Sequence, residues 1–362
     1  MPSLSLTRTV QVLALLALSL LLLYVGRLFL VPLVFAAILA MLLAPVARQL
    51  ERWGAGRIVS GLLCVLLLLA FMGGICWAIG AQAANISEQL PQIQQKVQVL
   101  LQQAQHWIQQ RFGVAPREQI QFVEEQVAKF GQSANRYLTT SLKGVAGLLG
   151  GLVLVLLYLF FMLWGRHKFR EFFLRLAPSE QHQEVNQMLQ EIMRVGGQYL
   201  SGRLLSVLFL TVVYGVGFLV IGLKNALLLA LIAALPTLVP YVGAYVGAIF
   251  PLIMAMVGGS AGQLLPTLGV ILFAQAVDNN VVEPLVMGSR LNLSPIFTII
   301  AVVLGELLWG IPGMILFEPL TAILRIVCSH VPALHPYAFL LADEAHTPQW
   351  IKRVKSKSKQ LL

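Results

Sequence analysis

Apolar runs of membrane-spanning length follow one another along the first 80 residues of this chain. They cover residues 10–25, 28–46 and 58–79, each close to the length of about 20 residues that a helix needs to cross a bilayer. The chain of 362 residues is 58% hydrophobic and 11% charged, whereas soluble domains are about 25% charged. A single soluble core cannot bury this much apolar surface. The sequence therefore predicts an all-α, polytopic transmembrane protein whose main partner is the lipid bilayer.

Basic residues between the apolar runs predict the orientation of the chain. The loop at 48–57 carries three arginines against a single glutamate, and the tail at 351–362 is also basic. Because Lys and Arg gather on the cytoplasmic side of membrane helices, we expect both termini in the cytoplasm and an even number of crossings, about eight. The first run is longer than the apolar part of a signal peptide, and no cleavage site follows it, so it is expected to remain as a helix.

Residues 81–143 have a different pattern. Their apolar positions recur every three or four residues in two series, separated by the break RFGVAPRE, with Gln, Glu and Lys between them. This pattern predicts an amphipathic helical hairpin outside the hydrocarbon, on the outer (periplasmic) face of the membrane. The hairpin either packs on itself or packs against other subunits, and we expect a homo-oligomer.

The middle of the chain alternates between apolar and basic segments. Residues 145–164 form a fourth apolar run, and the basic sequence GRHKFREFFLRLAP follows it. An amphipathic helix is expected at 179–203, on or near the cytoplasmic surface, before a fifth run at 204–221. The chain thus divides into three transmembrane helices (1–80), the amphipathic hairpin (81–143), transmembrane helices four and five with a basic cytoplasmic segment at 165–203 (144–222), a C-terminal core with broken helices (223–330) and a basic cytoplasmic tail (331–362).

The helices of the last third are interrupted by proline and glycine. Two interruptions, at 236–243 and 281–288, are close in sequence, and a third at 309–313 joins two short apolar pieces. Carbonyls that a proline frees are tolerated at membrane depth only where protein or a water-filled cavity satisfies them. Broken helices of this kind frame the substrate or ion sites of transporters, so a transport core is expected at 223–330. The residues expected to shape the site are Pro236, Pro240, Gly243, Pro284 and Gly288.

Four acids lie within or beside these apolar runs, namely Asp278, Glu283, Glu306 and Glu318. A charged side chain at the centre of a bilayer costs roughly 2.5 kcal/mol or more, so acids in these positions need a reason. They either cap helix ends at the interface, with Asp278 and the two asparagines after it in a short turn, or line an aqueous pathway. In the second interpretation Asp278 and Glu283 bind a monovalent cation or carry protons, and Asn279 helps to shape the site.

Motifs that the chain lacks argue against several other functions. It has no HExxH or GxSxG sequence and no P-loop, which argues against an intramembrane enzyme and against ATP-driven transport. The scattered histidines and three cysteines offer no metal-ligand spacing, so no metal and no cofactor is expected, apart from a coupling ion such as H⁺ or Na⁺. Cytoplasmic basic loops explain the net charge of +10 without nucleic acid as a partner.

The last third resembles one family of membrane proteins. In LVPYVGAYVGAIFPLI and QAVDNNVVEPLVMGSRLNLSPIFTIIAVVLGELLWGIPGMILFEPLTAIL, a Pro-Tyr-x-Gly turn precedes Asp-Asn, Pro, Met-Gly and Leu-x-Leu-x-Pro elements, then Gly-x-x-Gly and Pro-Leu. Together with the early spans and the amphipathic insert, this order is similar to that of the AI-2E family of bacterial membrane transporters. The matching positions are Pro240, Tyr241, Gly243, Asp278, Asn279, Pro284, Met287, Gly288, Leu291, Leu293, Pro295, Gly310, Gly313, Pro319 and Leu320.

The resemblance implies a permease of about eight helices in the bacterial cytoplasmic membrane. Some members of the family are associated with export of the signal autoinducer-2, and others with exchange of sodium or lithium for protons. Glu306 and Glu318 stand where small residues are common in the family. They are further candidates for coupling, and they would allow a different coupling ion or substrate. The resemblance adds to the residues that shape the site Tyr241, Pro295, Gly310, Gly313 and Pro319.

These observations lead to one expected function and two alternatives. We expect a secondary transporter that exports a small polar molecule, driven by the proton gradient, with Asp278 and Glu283 carrying the coupling proton. A Na⁺(Li⁺)/H⁺ antiporter that uses the same acids as ion ligands is the first alternative. A membrane scaffold that assembles through its hairpin and transports nothing is the second.

Overall fold

Helices joined by short turns form almost the whole of the described chain. A computed structural model describes residues 6–87, 150–258, 262–286 and 292–343, and within these ranges the only extended pairing is one isolated bridge. The all-α class predicted from the sequence is confirmed. Most of the predicted amphipathic hairpin, Gly288 and the tail after residue 343 lie outside the described residues. The helices are α1 (Leu6–Val25), α2 (Arg27–Arg52), α3 (Arg57–Ser87), α4 (Gly150–Arg175), α5 (His182–Ile221), α6 (Ala226–Ala234), α7 (Val242–Gly258), α8 (Leu264–Val277), α9 (Glu283–Val286), α10 (Pro295–Trp309), α11 (Ile311–His330) and α12 (His335–Leu341).

Six segments of the described chain are long and apolar enough to cross a membrane. Large apolar side chains on their outer surfaces are exposed, among them Leu28, Leu67 and Leu208, as expected where a surface faces lipid. Four shorter apolar helices accompany them, and α6, α7 and α10 are among these. The chain is therefore a multi-pass membrane protein. The six segments are Arg27–Arg52, Arg57–Trp77, Gly150–Arg175, Ser179–Ile221, Leu264–Val286 and Ile311–His330.

Helix α5 is longer than the sequence pattern suggests. It runs without interruption for 40 residues, or about 60 Å, twice the roughly 30 Å thickness of the hydrocarbon. The segments predicted separately at 179–203 and 204–221 are thus joined in one helix after a short 3₁₀ turn. The paired glycines of α5 do not break it because they serve its packing against α2. A Cβ on Gly197 would lie 3.0 Å from the carbonyl oxygen of Met41.

Two large apolar clusters share α5, and a third, smaller one includes Val195 near its start. The first joins α2, α3, α4 and the pair α10–α11 to the middle of α5, where Tyr199 and Leu200 are buried. The second joins α6, α7 and α8 to the later part of α5, at Leu210, Tyr214 and Phe218. The stretch of α5 between these two clusters carries Arg203 and Ser206, which are both buried.

Glycines bring several helices into direct backbone contact. The GxxxG spacing of α7 does so, because a Cβ on Gly243 would lie 1.8 Å from the Pro236 oxygen and one on Gly247 would lie 2.1 Å from the Ala233 oxygen. Helices α10 and α11 cross in the same way, and a Cβ on Gly313 would lie 2.0 Å from the Gly305 oxygen. Small residues permit this approach because no side chain separates the two backbones.

The α10–α11 hairpin is attached at both of its ends. At its tip, Gly310 has the positive φ of 63° that the tight turn requires, and the Trp309 indole donates a hydrogen bond to the Leu23 carbonyl of α1 at 2.9 Å. At its base, the chain before α10 pairs with the end of α12. The Ser294 amide donates to the Leu341 carbonyl at 3.0 Å, next to the bridge that Leu293 forms.

Candidate functional site

An arginine on α5 joins two of the predicted acids. The Arg203 guanidinium contacts Glu283 of α9, with 3.4 Å between Nη1 and Oε1, and Glu318 of α11, with 3.3 Å between Nη2 and Oε2. Arg203 and Glu318 are buried, whereas the Glu283 side chain is 33% exposed. Three helices that are far apart in sequence thus meet at one positive and two negative charges.

The position of Glu318 depends on a proline and a tyrosine. Pro319 follows it inside α11 and has no N–H, so the carbonyl of Ile315, four residues earlier, has no partner in the helix. The hydroxyl of Tyr199 on α5 donates a hydrogen bond to that carbonyl at 3.1 Å. Tyr199 lies one turn before Arg203, whose guanidinium carbon is 5.8 Å from the tyrosine ring centroid. The same face of α5 therefore satisfies both the freed carbonyl and the buried carboxylate.

Asp278 lies in a wide helical turn rather than in a loop. Helix α8 continues through a π-helical turn, Asp278–Val282, directly into α9. The break predicted at Pro284 is accordingly not seen before Val286, because Pro284 falls in the first turn after the π segment, where its missing N–H is accommodated. The interpretation of Asp278 as part of a short turn between helices is also wrong. Its side chain is buried, and its Oδ1 has no hydrogen-bond partner within the described chain.

The polar groups of α5 and of the α8–α9 segment form a seam between the two helices. Ser206 of α5 faces Asp278 without closing to a hydrogen bond of normal geometry, and its own Oγ is buried and without a partner in the described part of the structure. Further along α5, the side-chain amide of Gln275 donates a hydrogen bond to the Tyr214 hydroxyl at 2.8 Å. From Arg203 to Tyr214 this seam spans about 16 Å along α5. The polar seam consists of Arg203, Ser206 and Tyr214 on one side and Gln275, Asp278 and Glu283 on the other.

The other predicted polar residues lie away from the seam. Asn279 is exposed one residue after Asp278. Glu306 is exposed on α10, and its side chain makes no hydrogen bond or ion pair with the residues that the structure describes. Tyr241, by contrast, interacts electrostatically with Glu283, Glu318 and Arg203 from the connection between α6 and α7, and its φ of 61° is unusual for a residue with a side chain.

The predicted backbone-shaping residues have separate places. Pro236 lies in the 3₁₀ turn Leu235–Leu238, and Pro240 is buried just before α7, so this interruption is present as predicted. Pro295 opens α10 at its first position, where a proline is well tolerated. Gly310 and Gly313 shape the tip of the hairpin and the crossing of its two helices. Of these positions, the interruption before α7 is the one that places a side chain, Tyr241, next to the acids.

Arg203 and Tyr199 are the main residues that sequence reasoning missed, and Ser206, Tyr214 and Gln275 of the polar seam were not predicted either. Arg203 is the only charged residue between Arg194 and Lys224, and this isolation within an apolar stretch is a signal that the sequence does contain. It was obscured because residue 203 falls at the end of the segment assigned to the cytoplasmic surface. Tyr199 compensates for Pro319 by bonding to the Ile315 carbonyl, which is 116 residues away in sequence, and no local pattern indicates this contact.

The arrangement is suited to handling a small positive charge. With all groups ionised, Arg203 balances only one of its two glutamates, and Asp278 adds a further negative charge nearby. Excess charge that is buried in protein is costly unless it is neutralised. Among the described residues there is no group of three or more potential ligands that could hold a metal ion. A proton or a monovalent cation is the species that such isolated carboxylates can take up.

Sequence comparison identifies the group of proteins to which this architecture belongs. The family model of the AI-2E family transporter matches residues 13–333. The chain belongs to the AI-2E family. "Putative transport protein YueF" of Bacillus subtilis (strain 168) is 29% identical over 307 residues, which cover 81% of this chain and 82% of that protein. "AI-2 transport protein TqsA" of Escherichia coli (strain K12) is 23% identical over 319 residues, covering 86% and 89% of the two chains.

The resemblance described for the last third of the sequence is thus confirmed, and the match to the AI-2E family extends over residues 13–333 of this chain. "Putative permease PerM" of Escherichia coli (strain K12) is 32% identical over 198 residues, or 54% of this chain and 56% of that protein. The names of the family and of these relatives indicate transport rather than catalysis. All four acids and Arg203 fall inside the matched range.

Proposed function

We propose that this chain is a secondary transporter that exports a small polar molecule, similar to autoinducer-2, in exchange for protons. In this proposal it lies in the bacterial cytoplasmic membrane with both termini in the cytoplasm, and Asp278 carries the coupling proton. The observation that carries the proposal is a buried aspartate, with one oxygen unpartnered in the described chain, inside a helical segment of membrane-spanning length.

The surroundings of Asp278 favour a role in proton transfer. A carboxylate that loses its water without gaining hydrogen bonds is unstable as an anion, and a proton removes the charge. Asp278 is 5% exposed, its Oδ1 has no hydrogen-bond partner in the described chain, and Ser206 is the polar side chain that faces it. Glu283 interacts with Asp278 electrostatically and is 33% exposed, so it gives the proton a neighbouring carboxylate that is less buried.

The polar seam and one relative support a small polar molecule as the cargo. Tyr214, Gln275 and Ser206 offer hydroxyl and amide groups along the seam, and hydroxylated molecules bind such groups without needing a net charge. TqsA, which resembles this chain over most of its length, is named as a transport protein for AI-2. The break at Pro240 and Tyr241 lies beside the same seam and supplies the irregular backbone typical of transporter sites.

A Na⁺(Li⁺)/H⁺ antiporter is the second candidate. It is favoured by the surplus of carboxylate over guanidinium at Arg203, because hard carboxylate oxygens suit small monovalent cations. The two candidates share the acids and differ in what crosses the membrane with the proton. A single flux measurement can therefore distinguish them.

The experiment uses everted membrane vesicles from cells that express the full chain. Respiration acidifies the vesicle interior, and a pH-sensitive dye reports proton efflux when autoinducer-2, NaCl or LiCl is added. We expect efflux with autoinducer-2 that is lost in Asp278→Asn. The matched control is Asn280→Ala, which removes an exposed amide that bonds only to the Ala276 carbonyl of its own helix. Efflux with sodium or lithium alone identifies the antiporter, and no response to any of the three overturns proton-coupled transport.

A further inference from the structure

The cluster around Arg203 assigns different roles to its two glutamates. We propose that Arg203 is a built-in counter-ion that keeps Glu318 as its lasting partner and leaves Glu283 as an exchangeable carboxylate, which takes up and releases a proton. This is a second protonation site beside Asp278. The inference rests on the proposed function, because exchange at Glu283 matters only if transport is coupled to protons.

Burial, not distance, distinguishes the two glutamates. The separations from the guanidinium are almost equal, 3.4 Å to Glu283 and 3.3 Å to Glu318. The Glu318 side chain, however, is only 6% exposed, whereas that of Glu283 is 33% exposed and Arg203 is 9% exposed. Glu283 is therefore the carboxylate that a proton or cation can approach, while Glu318 is covered by protein.

The charge of the cluster requires one more positive charge than Arg203 provides. With both glutamates ionised the three residues carry a net charge of −1, and the other titratable groups that face them are Asp278, Tyr199 and Tyr241. The two tyrosines are neutral at ordinary pH, and Asp278 can only add negative charge. One proton on the accessible glutamate neutralises the cluster, and its loss restores the surplus.

The Arg203 guanidinium has an N–H donor that is not used in its contacts with the two glutamates. Arg203 Nε is buried and has no hydrogen-bond partner in the ranges described, although both terminal nitrogens contact carboxylates. Arginine offers five donors in a fixed plane, so it can keep Glu318 while its contact with Glu283 is made or broken. The backbone around each glutamate also supports the two different roles. Glu318 lies mid-helix on α11, whereas Glu283 directly follows a π-helical turn, a feature frequent at functional sites.

Flux against pH in everted vesicles tests the assignment. We expect Glu283→Gln to reduce coupled proton flux about tenfold or more, because it removes the exchanging group. Glu318→Gln is expected to retain coupling, with its midpoint displaced by about one pH unit or more towards acid, because Glu283 then has the arginine to itself. The control Glu171→Gln removes one partner of an exposed Arg175 pair and should match the wild type. Coupling lost in E318Q but kept in E283Q, or identical effects of both, overturns the assignment.

A stability measurement tests the same assignment without any transport. In purified full-length protein, R203Q is expected to lower Tm by about 5 °C or more, since it leaves a buried carboxylate unpaired. The double variant R203Q/E318Q should recover most of that loss, and R203Q/E283Q little of it, because Glu283 is only partly buried. If R203Q yields no folded protein, the two double variants are compared directly. Equal recovery, or greater recovery with E283Q, contradicts the proposal. Absence of flux in the wild type contradicts the proposed function instead, and the order of Tm values still decides the pairing.

Discussion

The contribution of the Tyr199 hydroxyl to the free energy of unfolding can be measured separately from that of its ring. It donates to the Ile315 carbonyl, which lacks a helical partner because residue 319 is proline. We expect Tyr199→Phe to lower the free energy of unfolding by about 1 to 2 kcal/mol, since it leaves a buried carbonyl unsatisfied. Thermal unfolding in detergent measures the change.

Two further variants show whether the proline is the reason for the effect. Tyr158→Phe serves as the control, because Tyr158 is half-buried against Phe29 and makes no hydroxyl hydrogen bond with the described residues. Pro319→Ala restores the N–H of residue 319, so Tyr199→Phe should then cost less than it does in the wild type. An unchanged cost in that background would separate the tyrosine from the proline.

Single residues also show where sequence reasoning reaches its limit. Asp278, Glu283, Glu306 and Glu318 share one local pattern, an acid in an apolar run, and all four could be picked out from the sequence. Their surroundings differ because of the helix face on which each lies. Gly305 faces α11 so closely that a Cβ there would lie 2.3 Å from the Gly313 oxygen, and the side chain of Glu306, one residue later, is exposed. Which acids meet an arginine depends on packing between helices, and a linear pattern does not contain it.

Among the helices, those of the first 80 residues were the most predictable. Runs at 28–46 and 58–79 correspond to Arg27–Arg52 and Arg57–Ser87, and the observed helices are longer because a helix does not end where its apolar stretch ends. Helix α5 was less predictable, since its polar first half resembles a separate surface helix. Gly197 in this helix packs closely against α2, and no local pattern indicates that contact.

The close crossing of α10 and α11 leads to a prediction about the stability of the protein. Gly313→Ala would place a Cβ 2.0 Å from the Gly305 oxygen, so the two helices must separate. We expect a loss of about 2 kcal/mol in the free energy of unfolding, as for other overpacked contacts. Gly269→Ala on α8 is the control, since no atom lies within 4 Å of its added Cβ. A Gly313→Ala protein as stable as the wild type would show that the crossing tolerates a wider spacing.

The whole molecule is expected to assemble through a region that lies mostly outside the described residues. The heptad-like pattern at 81–143 favours an amphipathic hairpin that packs either on itself or on other subunits, and a homo-oligomer stays a prediction. Deleting 84–142 is expected to convert the oligomer to a smaller species in detergent, as measured by light scattering on a sizing column. Transport that survives in the smaller species identifies the hairpin as an assembly element. An unchanged mass removes that role.

The α10–α11 hairpin has a mechanical consequence for the whole protein. Its open end is fastened by the pairing of Leu293 with Ala342, and its closed end is fastened to α1 by Trp309. The two attachments are about 22 Å apart along α10, and Glu318 lies on α11 between them. Any displacement of the hairpin as a unit would therefore move Glu318 relative to Arg203.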